Sequence, residues 1–342
     1  MKSVRASRPS GVAALVGVAI VLVAVLNINV PYFALTPGPA QDVSNLITIK
    51  GAKTTAVRGK LLLTTVSLHE IRVAEAVRGW VDPSIAILSR SAIIPAGQSE
   101  REVERRTTAQ MDESHVLAAA AALKLLGYDV KVEPSGARVA AVSNGVPASS
   151  TLRRGDVVVG ADGRPVKVAD DLKTAIQQHK VGDAITLRIM RGSKTIEVTT
   201  QTVGRPENPA DPIIGVTLEN VPHVRLPLAI SINSLGIGGP SAGLMFALGI
   251  YDLVDSKDLA AGRTIAGTGE ISFDGEVRPV GGIRQKVESA RREKADLFVV
   301  PSLELEQACA VAKGMPVMGV DNLQQTIKAL QSTRGMDARM CR

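Results

Sequence analysis

Residues Gly11 to Val30 run for 20 positions without a charged side chain (GVAALVGVAIVLVAVLNINV). At about 1.5 Å of rise per residue, a helix of that length spans roughly 30 Å, the thickness of a bilayer's hydrocarbon core. Three basic residues, Lys2, Arg5 and Arg8, precede it, and no acidic or basic residue follows until Asp42. That asymmetry predicts a single-pass anchor with residues 1–10 as a cytoplasmic tail and everything after Val30 outside. A cleaved signal peptide is the rival reading. Its apolar region would be shorter, about 7–15 residues, and the prolines of Thr36-Pro-Gly-Pro-Ala40 make a poor cleavage site. The expectation is therefore an uncleaved anchor over residues 11–30.

The whole chain has 342 residues, which exceeds one average domain and suggests two folded units with appendages. Hydrophobic residues make up 45% but aromatics only 2%, so the cores must be built from Val, Ile, Leu and Ala. The net charge is +7, spread out apart from the N-terminal cluster. A nucleic-acid binder would cluster its charge and add stacking aromatics, so no nucleic-acid partner is expected. Cys309 and Cys341 are far apart and lack metal-ligand spacing. They could pair outside the cell, but the favoured expectation is one core thiol and one thiol in a frayed tail. No His-Glu-x-x-His motif occurs, and neither a metal nor a cofactor is expected.

After the apolar run, Pro31–Pro39 reads as a linker. Ile47–Lys50 and Lys60–Thr65 are β-prone, His69–Trp80 has helical spacing, Ser99–Arg106 is charged and solvated, and Val116–Leu126 is strongly helical, with Gly127 placed to end it. A β-rich stretch follows. It contains strands at Ala137–Val142 and Leu152–Val159, a turn at Asp162-Gly163, a helix over Ala169–His179 begun by Asp170 and Asp171, and a hairpin around Arg191-Gly192. Gly204–Pro212 is Pro-rich and reads as an interdomain linker. From Ile213 to about Leu330, strand and helix patterns alternate.

Two segments carry chemistry. In the first, a Gly-rich loop runs through Gly239, Pro240, Ser241, Ala242 and Gly243 into an apolar helix. Helix starts offer unpaired N–H groups and positive potential, which stabilise an oxyanion. Ser241 as an attacking nucleophile and Ser241 as an ordinary N-cap both fit this motif alone. In the second, Thr268-Gly-Glu leads by a hairpin at Asp274-Gly275 and by Gly281-Gly282 to a helix bearing Lys286. Val287 and Ala290 suggest that this helix face is buried, and a buried lysine can lose its proton near neutrality. An ordinary surface lysine is the alternative. Arg284 stays charged and cannot act as a base. None of His69, His115, His179 or His223 stands in a recognisable triad or metal spacing, and Gly-x-Ser-x-Gly and Ser-x-x-Lys are missing.

The run from Ala137 to Gly192, with Gly-Val-Pro-Ala, Leu-Arg-Arg-Gly-Asp-Val-Val and the Asp-Gly turn, resembles a bacterial PDZ domain. PDZ domains take C-terminal peptides as an added strand. The usual Gly-Leu-Gly-Phe loop is absent. Ser135-Gly136-Ala137-Arg138 occupies its expected place, which makes Gly136, Ala137, Arg138 and Val139 the candidate peptide-binding residues. A blocked or purely structural groove is the alternative. Gly-Pro-Ser-Ala-Gly, Thr-Gly-Glu, Gly-Gly-x-x-x-Lys and Leu297-Phe-Val-Val-Pro301, in that order, resemble the proteolytic domain of the Lon family. Leu61–Thr65 and Met111-Asp-Glu-Ser114 look like the start of the same domain. The resemblance therefore implies an α+β fold, a Lon-type proteolytic domain with an inserted PDZ domain, preceded by one transmembrane helix. The implied boundaries are 31–126 for the linker and the N-terminal part of the protease, 127–203 for the PDZ domain, 204–335 for the remaining protease and 336–342 for a tail. It further implies a Ser–Lys dyad of Ser241 and Lys286, with Thr268 orienting the lysine and Gly239, Pro240, Ala242 and Gly243 in support. An acidic residue often found before Gly-Pro-Ser is Gly238 here. Rings are common among Lon-like domains, so a homo-oligomer is implied as well.

No Walker-type motif occurs in the sequence. The expected function is thus an ATP-independent serine endopeptidase on the extracytoplasmic side of the membrane. Its PDZ module would recruit or gate protein or peptide substrates through their C-terminal tails. The alternative is a catalytically idle PDZ adaptor at the membrane. The retained serine and lysine argue against it, since a scaffold has no need of a perturbed lysine.

Overall fold

The computed structural model describes residues 11–55, 57–95, 97–192, 194–255, 258–332 and 339–341. The basic residues expected to form a cytoplasmic tail lie outside them. Two units emerge: the segments before residue 130 and after residue 225 form one, and Val130–Arg225 forms the other.

The chain begins with α1 (Gly11–Leu26), β1 (Asn29–Asp42), β2 (Ile47–Lys50), β3 (Lys60–Arg72), α2 (Val73–Val81), β4 (Ala86–Ser89), the short α3 (Arg90–Ile93) and α4 (Glu100–Leu125). The helix α1 has 16 residues, about 24 Å at the usual rise. Among the described residues no helix is long and apolar enough to cross a membrane. The segment expected as a linker, Pro31–Pro39, is instead the middle of β1, which pairs with β3 on one edge and β4 on the other. Proline has no N–H to give a ladder. The β1–β3 register accordingly shifts between Asn29 and Phe33 and between Pro37 and Ala40, around Pro31 and Pro37–Pro39. Ser99–Arg106, expected as a solvated stretch, opens α4. The Ser99 hydroxyl accepts the Glu102 N–H and the Glu102 carboxylate accepts the Ser99 N–H, a capping box that starts a 26-residue helix.

The second unit contains β5 (Lys131–Val142), α5 (Ala148–Thr151), β6 (Val157–Ala161), β7 (Arg164–Pro165), α6 (Ala169–Gln177), β8 (Ala184–Arg191), β9 (Lys194–Gln201), β10 (Val203–Arg205), β11 (Asn208–Ile213) and β12 (Val216–Arg225). The sheet runs β12-β5-β6-β8-β9, with β7 on β6. Buried Ala137, Val139, Val158, Leu172, Ile185, Leu187 and Ile189 fill its core. Asp156, 2% exposed, takes both the Nε and the Nη2 of Arg191 at 2.8 and 2.7 Å and the Arg153 N–H at 2.8 Å. The Pro-rich segment expected to link domains is the β10–β11 hairpin. The chain then returns as β12, antiparallel to β5, from Val216↔Val142 to Arg225↔Lys131. The compact unit runs on to Arg225 because β5 needs that partner strand.

Returning to the first unit, the chain forms β13 (Ala229–Ile232), α7 (Gly243–Val254), β14 (Thr264–Gly267), β15 (Glu270–Ile271), β16 (Val277–Arg278), α8 (Ile283–Arg292), β17 (Leu297–Pro301), α9 (Leu305–Cys309), β18 (Val317–Val320), α10 (Leu323–Gln331) and β19 (Arg339–Cys341). Seven strands join in the order β19-β18-β17-β14-β3-β1-β4, with β3, β14, β17 and β18 parallel. A helix as apolar as α7 must be buried all round, and Leu244, Met245, Phe246, Ala247 and Leu248 are each fully buried. Within the stretch expected as a tail, Arg339–Cys341 form β19 on the edge of β18. The favoured expectation of two unpaired thiols is wrong here. The β18–β19 pairing brings Cys341 to Cys309 at the end of α9, and the two form a disulfide across 32 positions.

Closing a loop of that length is worth about 3–4 kcal/mol in the chain-entropy model. Reduction, or a Cys309→Ser/Cys341→Ser double variant, should lower the unfolding free energy by about that amount in urea titrations. Free-thiol titration of the untreated native protein should find none.

Candidate active site

The loop that carries Ser241 is seated by α4, which precedes it in the chain, and by Thr268 and Gly269, which follow β14. Gly239 adopts φ 89°, a region open to glycine, and turns the backbone into a single 3-10 turn, Pro240–Ala242, ahead of α7. Ser241 therefore precedes the helix. The residues in the two cap positions are Gly239 and Ala242, neither with a side-chain cap bond, so Ser241 is not an N-cap. Its side chain is half-buried. Four bonds seat the turn. The Gly239 N–H donates to the Thr107 carbonyl at 2.9 Å, and the buried Ser114 hydroxyl donates to the Pro240 carbonyl at 3.1 Å. The Ser241 carbonyl accepts the Gly269 N–H at 2.9 Å and the Thr268 hydroxyl at 3.0 Å. A Cβ on Gly238 would sit 2.9 Å from the Thr107 hydroxyl, so α4 occupies the space that an acidic side chain there would need.

Lys286 lies in the first turns of α8, and its residue is only 2% exposed. Its Nζ donates to the Thr268 hydroxyl at 3.0 Å, and Thr268 is fully buried. Because the Thr268 proton is given to the Ser241 carbonyl, its oxygen faces the lysine as an acceptor. This chain of two bonds fixes where the amine points relative to the serine's backbone. Burial pushes the ammonium down to about 8, against the opposing charge of Glu304. Ser241, Ala242 and Lys286 share the wall of a cleft of about 300 Å³, with Thr64, Thr65, Val66, Leu235 and Gly238. The cleft thus holds a hydroxyl, a readily deprotonated amine and the backbone of a turn entering a helix. That is the equipment for acyl transfer.

The described histidines stand elsewhere. His69 pairs with Glu75, His179 with Asp162, and His115 packs edge-on against Phe246 while burial pushes its pKa down. Among the described residues no cluster of three or more His, Cys, Asp or Glu could hold a metal ion.

The candidate peptide-binding residues are a different matter. Gly136–Val139 lie within β5, whose two edges are both taken. Arg138 is opposite Glu219 of β12 and also opposite Val157 of β6, and Ala137 and Val139 are core residues. No peptide can be added there as a strand. A groove of about 400 Å³ opens instead between α6 and the start of β12, lined by Lys173, Ile176, Ile214, Gly215, Val216 and Leu218 among others. Among the described residues β12 has a partner strand only on its β5 side. Gly215 has φ 71° and accepts the Ser143 N–H, so the backbone bends sharply as it enters the groove. The sequence signal of this loop is Ile214-Gly215-Val216, an apolar-Gly-apolar triplet just after the proline-rich hairpin.

Comparison with known proteins matches both units. Residues 125–202 match the PDZ domain and residues 221–332 the Lon protease C-terminal proteolytic domain. Lon protease 2 of Bacillus subtilis is 30% identical over 105 residues, 31% of this chain and 18% of its own length. The Lon protease of Citrifermentans bemidjiense is 33% identical over 89 residues, 26% of this chain and 11% of its own. A solved PDZ domain of an SdrC-like protein from Listeria monocytogenes is 29% identical, covering 26% of this chain and 92% of that one at a TM-score of 0.24. The chain is thus a mixed α+β protein that carries a PDZ domain and a Lon-type proteolytic domain. It spans less than a fifth of the length of those two Lon proteases.

A lysine whose folded pKa lies below its unfolded value binds fewer protons folded than unfolded between pH about 8 and 10.5, so stability should rise with pH across that window. Below it, the buried charge costs about 3 kcal/mol at about 1.4 per unit. Lys286→Met should therefore stabilise the fold at pH 7 by up to that amount and flatten the rise, as measured by urea unfolding at several pH values.

Proposed function

We propose that this protein is an ATP-independent serine endopeptidase with a Ser241–Lys286 dyad. The observation that carries the reading is Lys286: buried, depressed toward neutrality, and bonded to the threonine that holds the Ser241 carbonyl. In the first step neutral Lys286 takes the Ser241 hydroxyl proton as the oxygen attacks the scissile carbonyl. Backbone N–H groups at the start of α7, of the kind a helix leaves without internal partners, receive the developing oxyanion. The lysine then returns the proton to the leaving amine, and water completes the cycle through the same base. Thr268 orients Lys286. ATP independence rests on the absence of any Walker-type motif in the 342 residues.

The PDZ unit, in this reading, takes substrate C-termini in the α6–β12 groove, where the open edge of β12 offers backbone pairing and Ile176, Ile214 and Leu218 offer apolar walls. The site lies outside the membrane, held there by α1. A short hydrophobic helix is accommodated by local thinning of the bilayer. The Cys309–Cys341 disulfide supports an oxidising compartment. Assembly into a homo-oligomer belongs to the same proposal.

Ser241→Ala, Lys286→Ala and Lys286→Arg should each reduce peptide cleavage by at least about 10³-fold while circular dichroism stays unchanged. In the wild type, kcat/KM should rise with pH to a plateau above about 8. A serine-directed reagent should label Ser241 along the same pH curve and leave the Lys286→Arg variant unlabelled. Full cleavage by any of the three variants overturns the dyad. Separately, the full chain should bind peptides with a free C-terminal carboxylate at least about tenfold more tightly than their amides, a difference of about 1.4 kcal/mol readable by fluorescence anisotropy.

A further inference from the structure

The chain has a single tryptophan, Trp80, and it is left in the open at 92% exposure. Its neighbours on α2 share that fate, with Val81 at 82% and Val77 at 55%. No residue of α2 is buried, although its sequence has an apolar face. With Val30, Tyr32, Val73 and Ile87, this face walls an almost wholly apolar groove of about 370 Å³. An indole and several valines in water forgo about 25 cal/mol for each Å² left uncovered, so something covers this face in use.

What covers it is set by what lies beside it. The start of α2 is tied to the end of α1: the Val73 N–H donates to the Ile28 carbonyl at 3.0 Å, and the Arg72 guanidinium to the Asn27 side chain at 3.0 Å. The α1 side chains from Leu15 to Val25 are themselves exposed, with its large apolar residues between 43% and 74%, and carry no charge. Both Tyr32 and Trp80 belong to the residue types enriched where acyl chains meet headgroups. Arg72, at the end of β3, and Arg78, on α2, are both exposed and supply cations for lipid phosphates.

We infer that the face formed by Tyr32, Val77, Trp80 and Val81 docks on the bilayer surface, so that the protein grips the membrane twice, through α1 and through α2. This rests on the reading that α1 is membrane-inserted. A second copy of the chain would have to present an apolar face of its own to both α1 and α2, whereas lipid covers the two at once.

The full chain reconstituted into vesicles of phosphatidylcholine and phosphatidylglycerol tests both layers. Retention in the pellet after alkaline carbonate extraction reports insertion of α1, and emission from Trp80, unique in the chain, reports the patch. The expected result is retention, blue-shifted emission, and loss of intensity when the lipids carry bromine high on their acyl chains, with less loss when the bromine is deep. Retention with the unshifted, unquenched emission of an indole in water overturns the docking but leaves the anchor standing. A blue shift without quenching by brominated lipid also overturns it and assigns the face to a protein partner. Extraction of the chain into the supernatant overturns both readings.

Discussion

The first unit is arranged around one buried amine. Lys286 sits at 2% exposure in a fold of modest size, and its charged form is opposed by everything that makes the core stable. The surrounding structure keeps it there by packing α8 firmly on β1 and β3. The Ser289 hydroxyl donates to the Gly38 carbonyl at 2.8 Å, and Val287 and Ala290 are fully buried in the same layer. Thr268 converts that confinement into direction, because its hydroxyl touches both the amine and the backbone of the serine. Stability is given up at one residue and recovered around it, a pattern that belongs to functional sites rather than to cores.

The inserted unit obeys a different constraint. Its sheet is complete only when β12, the last element before the chain leaves, lies along the whole of β5. Closing the sheet there leaves no open strand edge at Gly136–Val139, and the groove lies between β12 and α6. The strand that completes the sheet therefore also walls the groove, through Val216, Thr217 and Leu218.

Much of this was legible in the residues. Ser241, Thr268 and Lys286 are marked by glycine-rich approaches and by order along the chain, and the structure brings all three together. The β-rich stretch from Ala137 with its Asp-Gly turn, and the helix after it, are local patterns written in turn residues and periodicity. What was not legible depended on partners distant in sequence. β1 looked like a linker because its prolines break a ladder locally, while the pairing that keeps it a strand comes from β3 and β4. β12 looked like the start of the next domain because nothing within it names β5. The disulfide depended on β19 finding β18. The capping box at Ser99 and Glu102, by contrast, was present as Ser-x-x-Glu and was outweighed by the charge that follows it.

The seats of the site come from both sides of the insertion. Ser114, which holds the Pro240 carbonyl, lies 126 positions before it, and the Thr64 hydroxyl reaches the Gly267 carbonyl across 203 positions. Ser289 and Gly38 meet across 251. Contacts so remote form late, after their loop-closure entropy has been met. A growing chain that has just completed the Val130–Arg225 unit does not yet contain Ser241, Thr268 or Lys286. Synthesis order thus puts the sheltering of the buried amine after the unit set within it.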